Sequence, residues 1–315
     1  MRMGLIVTGF LVLALLAVSG CASWQAERNA PRHGTLVDAG GVQMHVLEIG
    51  DRNSARPPVV LIHGASANLR DMEISLGAAL KDTHRVILID RPGRGYSERP
   101  SDGYQLSRQA SLIHDVLAKL DVVDPIILGQ SFGGAVALNY ALQYQDEMSA
   151  LVVLAPVSHE WPGGVAWYNN ASGKPVVGPL LRQFVIPVYG QIALRNGVDD
   201  TFAPNAAPEN YVERAGLKLL FRPKDFKSNA EDIANLKAEI MKQQDRYGEL
   251  TLPVIVMTGL DDDTVSPDLH ARALGREIEG VSLTLFEDTG HALHHTRTDE
   301  IAAAVLALTD PPTDQ

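Results

Sequence analysis

From residue 34 onward, short apolar runs alternate with stretches of helical spacing. The segment "GTLVDAGGVQMHVLEIG" reads as two strands joined at Gly40-Gly41, because a glycine pair accepts the backbone of a tight hairpin. The runs in "PPVVLIHG", "HRVILID", "PIILG", "SALVVLAP" and "LPVIVMTG" are almost continuously apolar, the mark of strands covered on both faces. "VSLTLFE" adds a further strand. Between them, "NLRDMEISLGAALKDT" and "QLSRQASLIHDVLAKLDV" repeat apolar positions at helical intervals. Strands alternating with helices predict a mostly parallel central sheet flanked by helices. Parallel crossovers gather the loops after the strands at one edge, where ligands bind.

The rhythm breaks from Ser158 to about Glu249. That interval is rich in proline and glycine, carries Trp161, Trp167, Tyr168 and Phe184, and ends in helix-like pieces such as "AEDIANLKAEIMKQQDRYG". An unstructured loop of this length inside a compact domain is improbable, so a mostly helical cap inserted between two sheet strands is expected. Its aromatic residues are candidates for pocket walls or for ordinary packing. The chain then divides into a core over 33–157, a cap over 158–249 and the rest of the core over 250–315.

Chemistry concentrates in "PIILGQSFGGAVALNYAL". A Gly-x-Ser-x-Gly sequence between a strand and a helix builds a sharp turn that lifts the Ser131 hydroxyl clear of the sheet edge. A serine hydroxyl is a weak nucleophile at neutral pH and needs a base that is itself oriented by an acid. Two later segments, "TGLDDDTVSP" and "DTGHALHH", follow strands and fall at the same edge. They offer Asp261, Asp262 and Asp263 as acids and His291, His294 and His295 as bases. Glu160, after "LVVLAP", is a further acid candidate.

"LIHGAS", "DRPGRGYSERP", "GQSFGG" and the pair "GLDDDTVSP" with "GHALHH" together make the chain resemble an α/β-hydrolase from about His33 to its end. The resemblance implies the α/β-hydrolase fold, with Ser131 as nucleophile, His291 as base and Asp262 as acid. Asp262 is the residue three places after Gly259, the spacing usual in the family. It also implies an oxyanion hole made by the backbone N–H groups of Phe132 and Ala65, with Asp90, Arg91 and Arg94 as structural residues. No cofactor is expected, and no metal motif accompanies "HALHH". The reaction implied is hydrolysis of a small to medium apolar carboxylic ester. Hydrolysis of a C–C bond in a β-diketone or ring-fission product uses the same triad, as do lactonase and perhydrolase variants. A non-catalytic lipid-anchored binding protein would have no use for all three members. Serine at 131 departs from dehalogenase-like and epoxide-hydrolase-like relatives, which use aspartate, and "DRPGRGYS" departs from the turn of the proline iminopeptidases.

The first 25 residues stand apart. Arg2, the apolar run Leu5–Val18 and the small residues Ser19 and Gly20 follow the pattern of a secretory signal, and the run is short for a membrane span. "VSGC" resembles a bacterial lipoprotein box, which implies a signal over 1–20, lipid on Cys21 and a place in the cell envelope. Residues 21–32 then read as a polar tether. With one cysteine in 315 residues no intrachain disulfide forms. A formal net charge of −11 gives no footprint for nucleic acid.

Overall fold

The structure, a computed structural model, describes residue 17 and residues 19–309. Most of the expected signal, residues 1–16 and 18, lies outside the described residues. Eight strands form one sheet: β1 (Thr35–Ala39), β2 (Val42–Ile49), β3 (Val59–Ile62), β4 (Val86–Ile89), β5 (Ile126–Gln130), β6 (Ala150–Leu154), β7 (Val254–Gly259) and β8 (Ser282–Phe286). Their order is β1-β2-β4-β3-β5-β6-β7-β8. The β1–β2 hairpin and the β2–β4 pair are antiparallel, and the remaining pairs are parallel.

Alternation along each strand divides the core between the two faces. Val60, Ile62, Ile87, Ile89, Ile127 and Val153 pack toward the helices Leu106–Lys119 and Phe132–Tyr144. Val59, Leu61, Val86, Leu88, Leu128 and Val152 pack on the other side, against Leu69, Met72, Leu76 and the helix Thr298–Ala307. Both sets are buried because successive side chains of a strand point to opposite faces, so a strand covered on both sides has no polar position. The edge strands β1 and β8 and the end of β2 are partly open.

Between β6 and β7 the described residues hold helices and no strand: Trp167–Ser172, Val177–Leu180, Ile186–Phe202, Tyr211–Arg214 and Pro223–Ile240 are the α-helical pieces. Pro223 opens the last of them, where its missing N–H costs no hydrogen bond. That helix is bound to the sheet layer by a polar stripe. Asp225, Asn229, Asp232 and Glu239 recur at helical spacing and are all buried. Asp225 pairs with Arg222, and its carbonyl accepts from Arg94; Asn229 meets Ser66; Asp232 meets Arg91 and Arg99; Glu239 accepts from the Leu106 amide.

The amino-terminal region differs from the expected polar tether. Residues 19–29 are helical, and Ala26 and Ala30 are buried against Leu219. Glu27 pairs with Arg222 at 2.9 Å, the Tyr96 hydroxyl donates to Ala30 O at 2.6 Å, and Arg70 donates to Pro31 O. Polar composition suggested a solvated linker. The contacts explain the difference: the small Ala26 in the helix and Ala30 just after it seat the segment on the fold, while Gln25, Glu27, Arg28 and Asn29 stay exposed. Cys21 is in this helix and is exposed.

Candidate active site

The ends of β3, β5, β7 and β8 bring the candidate residues together. Ser131 stands between β5 and the helix Phe132–Tyr144 with φ 55° and ψ −117°, an unfavourable conformation for a residue with a side chain. The surroundings impose it. Ser131 N donates to Leu154 O at 2.9 Å, and Ser131 O accepts from Gly134 N at 3.0 Å. The flanking helix start lies so close to β3 that a Cβ on Gly133 would be 2.2 Å from Ile62 O. Gly-x-Ser-x-Gly is therefore a requirement of space as much as of turn geometry.

Of the three consecutive aspartates, Asp262 is the one that meets a histidine. His291 Nδ1–H donates to Asp262 Oδ2 at 2.7 Å, and Asp262 Oδ1 accepts from the amides of Thr264 and Val265, each at 2.8 Å. These bonds orient the carboxylate and fix the His291 tautomer, leaving Nε2 as the lone-pair nitrogen. Asp261 accepts from Thr289 N at 3.3 Å, and Asp263 is exposed. Glu160 is also exposed, and its carboxylate is 4.0 Å from Lys237.

The partner of His291 Nε2 is Gln130, the residue before Ser131, which donates its side-chain N–H to that nitrogen and to His291 O, both at 3.3 Å; among the described residues no hydrogen bond joins His291 to the Ser131 hydroxyl. The Gln130 side chain fills the space in front of Gly64, where a Cβ would lie 2.3 Å from Gln130 Oε1 and 3.3 Å from Ser131 Cβ. A side chain at 64 would displace the Gln130 amide and press on Ser131, so glycine keeps this approach open.

That loop is rigidly set. His63 Nδ1–H donates to Gly64 O at 2.8 Å, and His63 Nε2 accepts from Arg91 N at 3.1 Å. Burial, with Arg91 nearby, lowers the His63 pKa to about 3, so the ring is neutral in the tautomer these bonds require. Arg91 also donates to Gly64 O at 3.1 Å. In a planar trans peptide the C=O and the following N–H point in opposite directions. Two donors holding Gly64 O therefore aim the Ala65 N–H the other way. Neither that amide nor Phe132 N–H has a partner among the described residues. The Arg91 guanidinium lies 4.2 Å from the centre of the Phe132 ring, which ties the same arginine to both amides.

His294 and His295 are directed elsewhere. Their Nε2 atoms meet the two oxygens of Asp71 at 3.0 and 2.8 Å, and the Tyr211 hydroxyl of the cap donates to Asp71 at 2.7 Å. Burial alone would raise the Asp71 pKa, but the charge and hydrogen bonds of His294 and His295 outweigh it and hold the carboxyl well below its ordinary value. The donor atoms of Asp71, His294 and His295 lie within 4.8 Å of one another, a spacing that could accept a metal ion. The carboxylate itself is satisfied by three donors, whereas the buried His294 Nδ1 has no partner among the described residues. The cap also reaches the histidine loop through Asn205, which accepts from Gly290 N and donates to Asp288 O.

The cap aromatics are divided. Trp161 packs beside His270, whereas Trp167 is 70% exposed and Tyr168 is exposed as well, so these two are not walls of an interior pocket. Asp71, Gln130, Asn205 and Asn229 escape sequence reasoning. For Asp71 a signal exists: it falls on the same helical stretch as the buried Leu69, Met72 and Leu76, where a charge is out of pattern.

A family model described as "Alpha/beta hydrolase family" matches residues 59–304. The chain is 32% identical over 279 residues to a putative non-heme chloroperoxidase of Synechocystis sp., spanning 84% of this chain and 99% of that one. It is 26% identical over 264 residues to a 2-hydroxy-6-oxononadienedioate/2-hydroxy-6-oxononatrienedioate hydrolase of Cupriavidus pinatubonensis, spanning 78% and 84%. Among solved structures, a meta-cleavage product hydrolase superposes with TM-score 0.70 at 22% identity, over 87% of this chain and 97% of that one. An esterase from Exiguobacterium antarcticum does so with TM-score 0.64 at 23% identity, over 87% and 98%. At these identities the two structures attest the fold.

Proposed function

The chain belongs to the alpha/beta hydrolase family, and from that premise we propose that it is a serine hydrolase of small to medium carboxylic esters, working through Ser131, His291 and Asp262. The observation that carries this reading is the bond from His291 Nδ1 to Asp262, made while Nε2 accepts from Gln130, the neighbour of Ser131; Gln130 has to release that nitrogen for it to act as base. His291 Nε2 takes the Ser131 hydroxyl proton as the oxygen attacks the ester carbonyl. The Ala65 and Phe132 N–H groups stabilise the oxyanion. His291 then protonates the leaving alcohol, and the acyl group stays on Ser131. Water activated by the same nitrogen releases the acid. Asp262 holds the ring and stabilises the imidazolium. Ser131 and His291 are only 8% and 6% exposed.

The Cupriavidus relative, named as a 2-hydroxy-6-oxononadienedioate/2-hydroxy-6-oxononatrienedioate hydrolase, supports a second reading, hydrolysis of a C–C bond with the same triad. A panel of p-nitrophenyl esters of increasing acyl length, run beside β-diketones, a lactone and a ring-fission dienoate, separates the two. Turnover of esters with at most trace turnover of the carbon acids is expected. The reverse ranking would replace the ester reading.

The lipoprotein reading of "VSGC" belongs with this proposal. It is supported by the exposure of Cys21. A protein so anchored sits in the bacterial cell envelope. Mass spectrometry of the mature amino terminus is expected to find acylated Cys21, with no lipid in Cys21→Ser. An unmodified terminus at Ala22 or beyond would remove the anchor.

A further inference from the structure

We propose that one outer face of the cap lies on the surface of an anionic phospholipid bilayer. Trp167, Val176, Leu180, Val185, Tyr189 and Ile192 each expose between 47% and 73% of their surface. Val185, Tyr189 and Ile192 follow helical spacing along Leu181–Val185 and Ile186–Phe202, so they share one side. The same helix also packs inward through apolar side chains: Leu181 and Ile186 are buried against Phe221 and Phe226. A helix that is apolar both inward and outward needs a second apolar environment, and exposed apolar side chains grouped in this way mark an interaction surface.

Charge selects the occupant. Lys174, Arg182 and Arg195 accompany the patch residues 167–192, which include no aspartate or glutamate, and the exposed acids Glu160, Asp199 and Asp200 lie beyond its ends. Such a patch attracts anionic headgroups while the rest of the surface is repelled. Trp167, Tyr168 and Tyr189 are the residue types that settle at the headgroup level. Lys174 and Arg195 are exposed beside the apolar side chains, as in helices that lie in the plane of an interface.

The course of the chain agrees. The helix over 19–29 borders a crevice in which Ala22 and Gln25 face Gln191, the neighbour of Ile192. Cys21, the residue before Ala22, therefore lies beside this face. Lipid on Cys21 would enter the bilayer at the edge of the patch. The inference draws on the proposed anchor for this point alone. Substrates dissolved in the lipid phase would meet the cap directly.

The test uses the full chain with Trp24→Phe and Trp161→Phe, so that Trp167 is the single tryptophan. It is mixed with vesicles of phosphatidylglycerol and brominated phosphatidylcholine. Flotation reports attachment, and Trp167 emission reports contact. A blue shift and quenching by bromine are expected. Both are lost when Val176→Glu and Ile192→Glu are added, two exposed positions whose substitution leaves the melting temperature unchanged. Flotation with unshifted, unquenched Trp167 overturns the membrane face and leaves the anchor standing. Flotation abolished by the two glutamates supports the face and overturns the anchor. No flotation at all, or shielding of Trp167 that depends on protein concentration in lipid-free buffer, overturns the face in favour of a solvent-exposed or self-associating surface.

Discussion

Asp262→Asn lowers kcat on the best ester by ~10⁴-fold, the size of this change in a well-characterised Ser-His-Asp triad. The reason is proton placement. An amide at 262 would offer its N–H to His291 Nδ1, and the ring would answer by carrying its proton on Nε2, where it cannot accept one from Ser131. The imidazolium formed in the reaction would also lose its counter-charge. Asp262 is fixed by two backbone amides, so the variant keeps the turn and the melting temperature changes little. Asp261→Asn and Asp263→Asn serve as controls and stay within a few-fold of wild type, because neither carboxylate touches His291. Steady-state kinetics on the three variants checks the assignment. A dead Asp261→Asn with an active Asp262→Asn would shift the acid by one residue.

Asp232→Ala destabilises the fold by about 3–5 kcal/mol, the usual cost of leaving a buried charge without its partner. Arg91 and Asp232 are both fully buried and 2.8 Å apart, and Arg99 meets the other carboxylate oxygen at 2.7 Å. Removing the carboxylate strands Arg91 between the cap and the sheet. The neighbouring Glu231→Ala is expected to cost at most about 1 kcal/mol, since its pairs with Lys227 and Arg99 are partly exposed. Urea unfolding of both variants measures the contrast. Because Arg91 holds Gly64 O and covers Phe132, Asp232→Ala also lowers kcat while Glu231→Ala does not. Equal stability losses in the two variants would show that the buried pair does not fasten the cap.

The sheet was legible because buried parallel strands write themselves as continuous apolar runs: "VVLI", "VILI" and "ALVVL" are strands whose every residue is buried. The serine turn was legible for a different reason. Its glycines answer to space that no other residue fits, so the motif records geometry directly. The histidine–carboxylate pairing was harder, since Asp261, Asp262 and Asp263 are chemically identical and only family spacing separates them. The cap's attachment was not legible at all. The helix Pro223–Ile240 buries Asp225, Asn229, Asp232 and Glu239, so its polar stripe faces inward. Along Ile186–Phe202 the reverse holds, with Tyr189 and Ile192 outside. Both invert the ordinary rule that polar faces meet solvent, and the rule inverts where partners are distant in sequence: Arg91 lies 141 residues before Asp232. The Asp71–His294 contact spans 223 residues and is hidden for the same reason.

The most direct measurement of the central claim is covalent labelling of the full-length protein with a fluorophosphonate, followed by peptide mass spectrometry. The probe reacts only with a serine whose hydroxyl is activated and whose oxyanion is stabilised. A single adduct on Ser131 is predicted, absent in Ser131→Ala and strongly slowed in His291→Ala. A protein that folds normally and takes no label, or whose label survives Ser131→Ala, would contradict it.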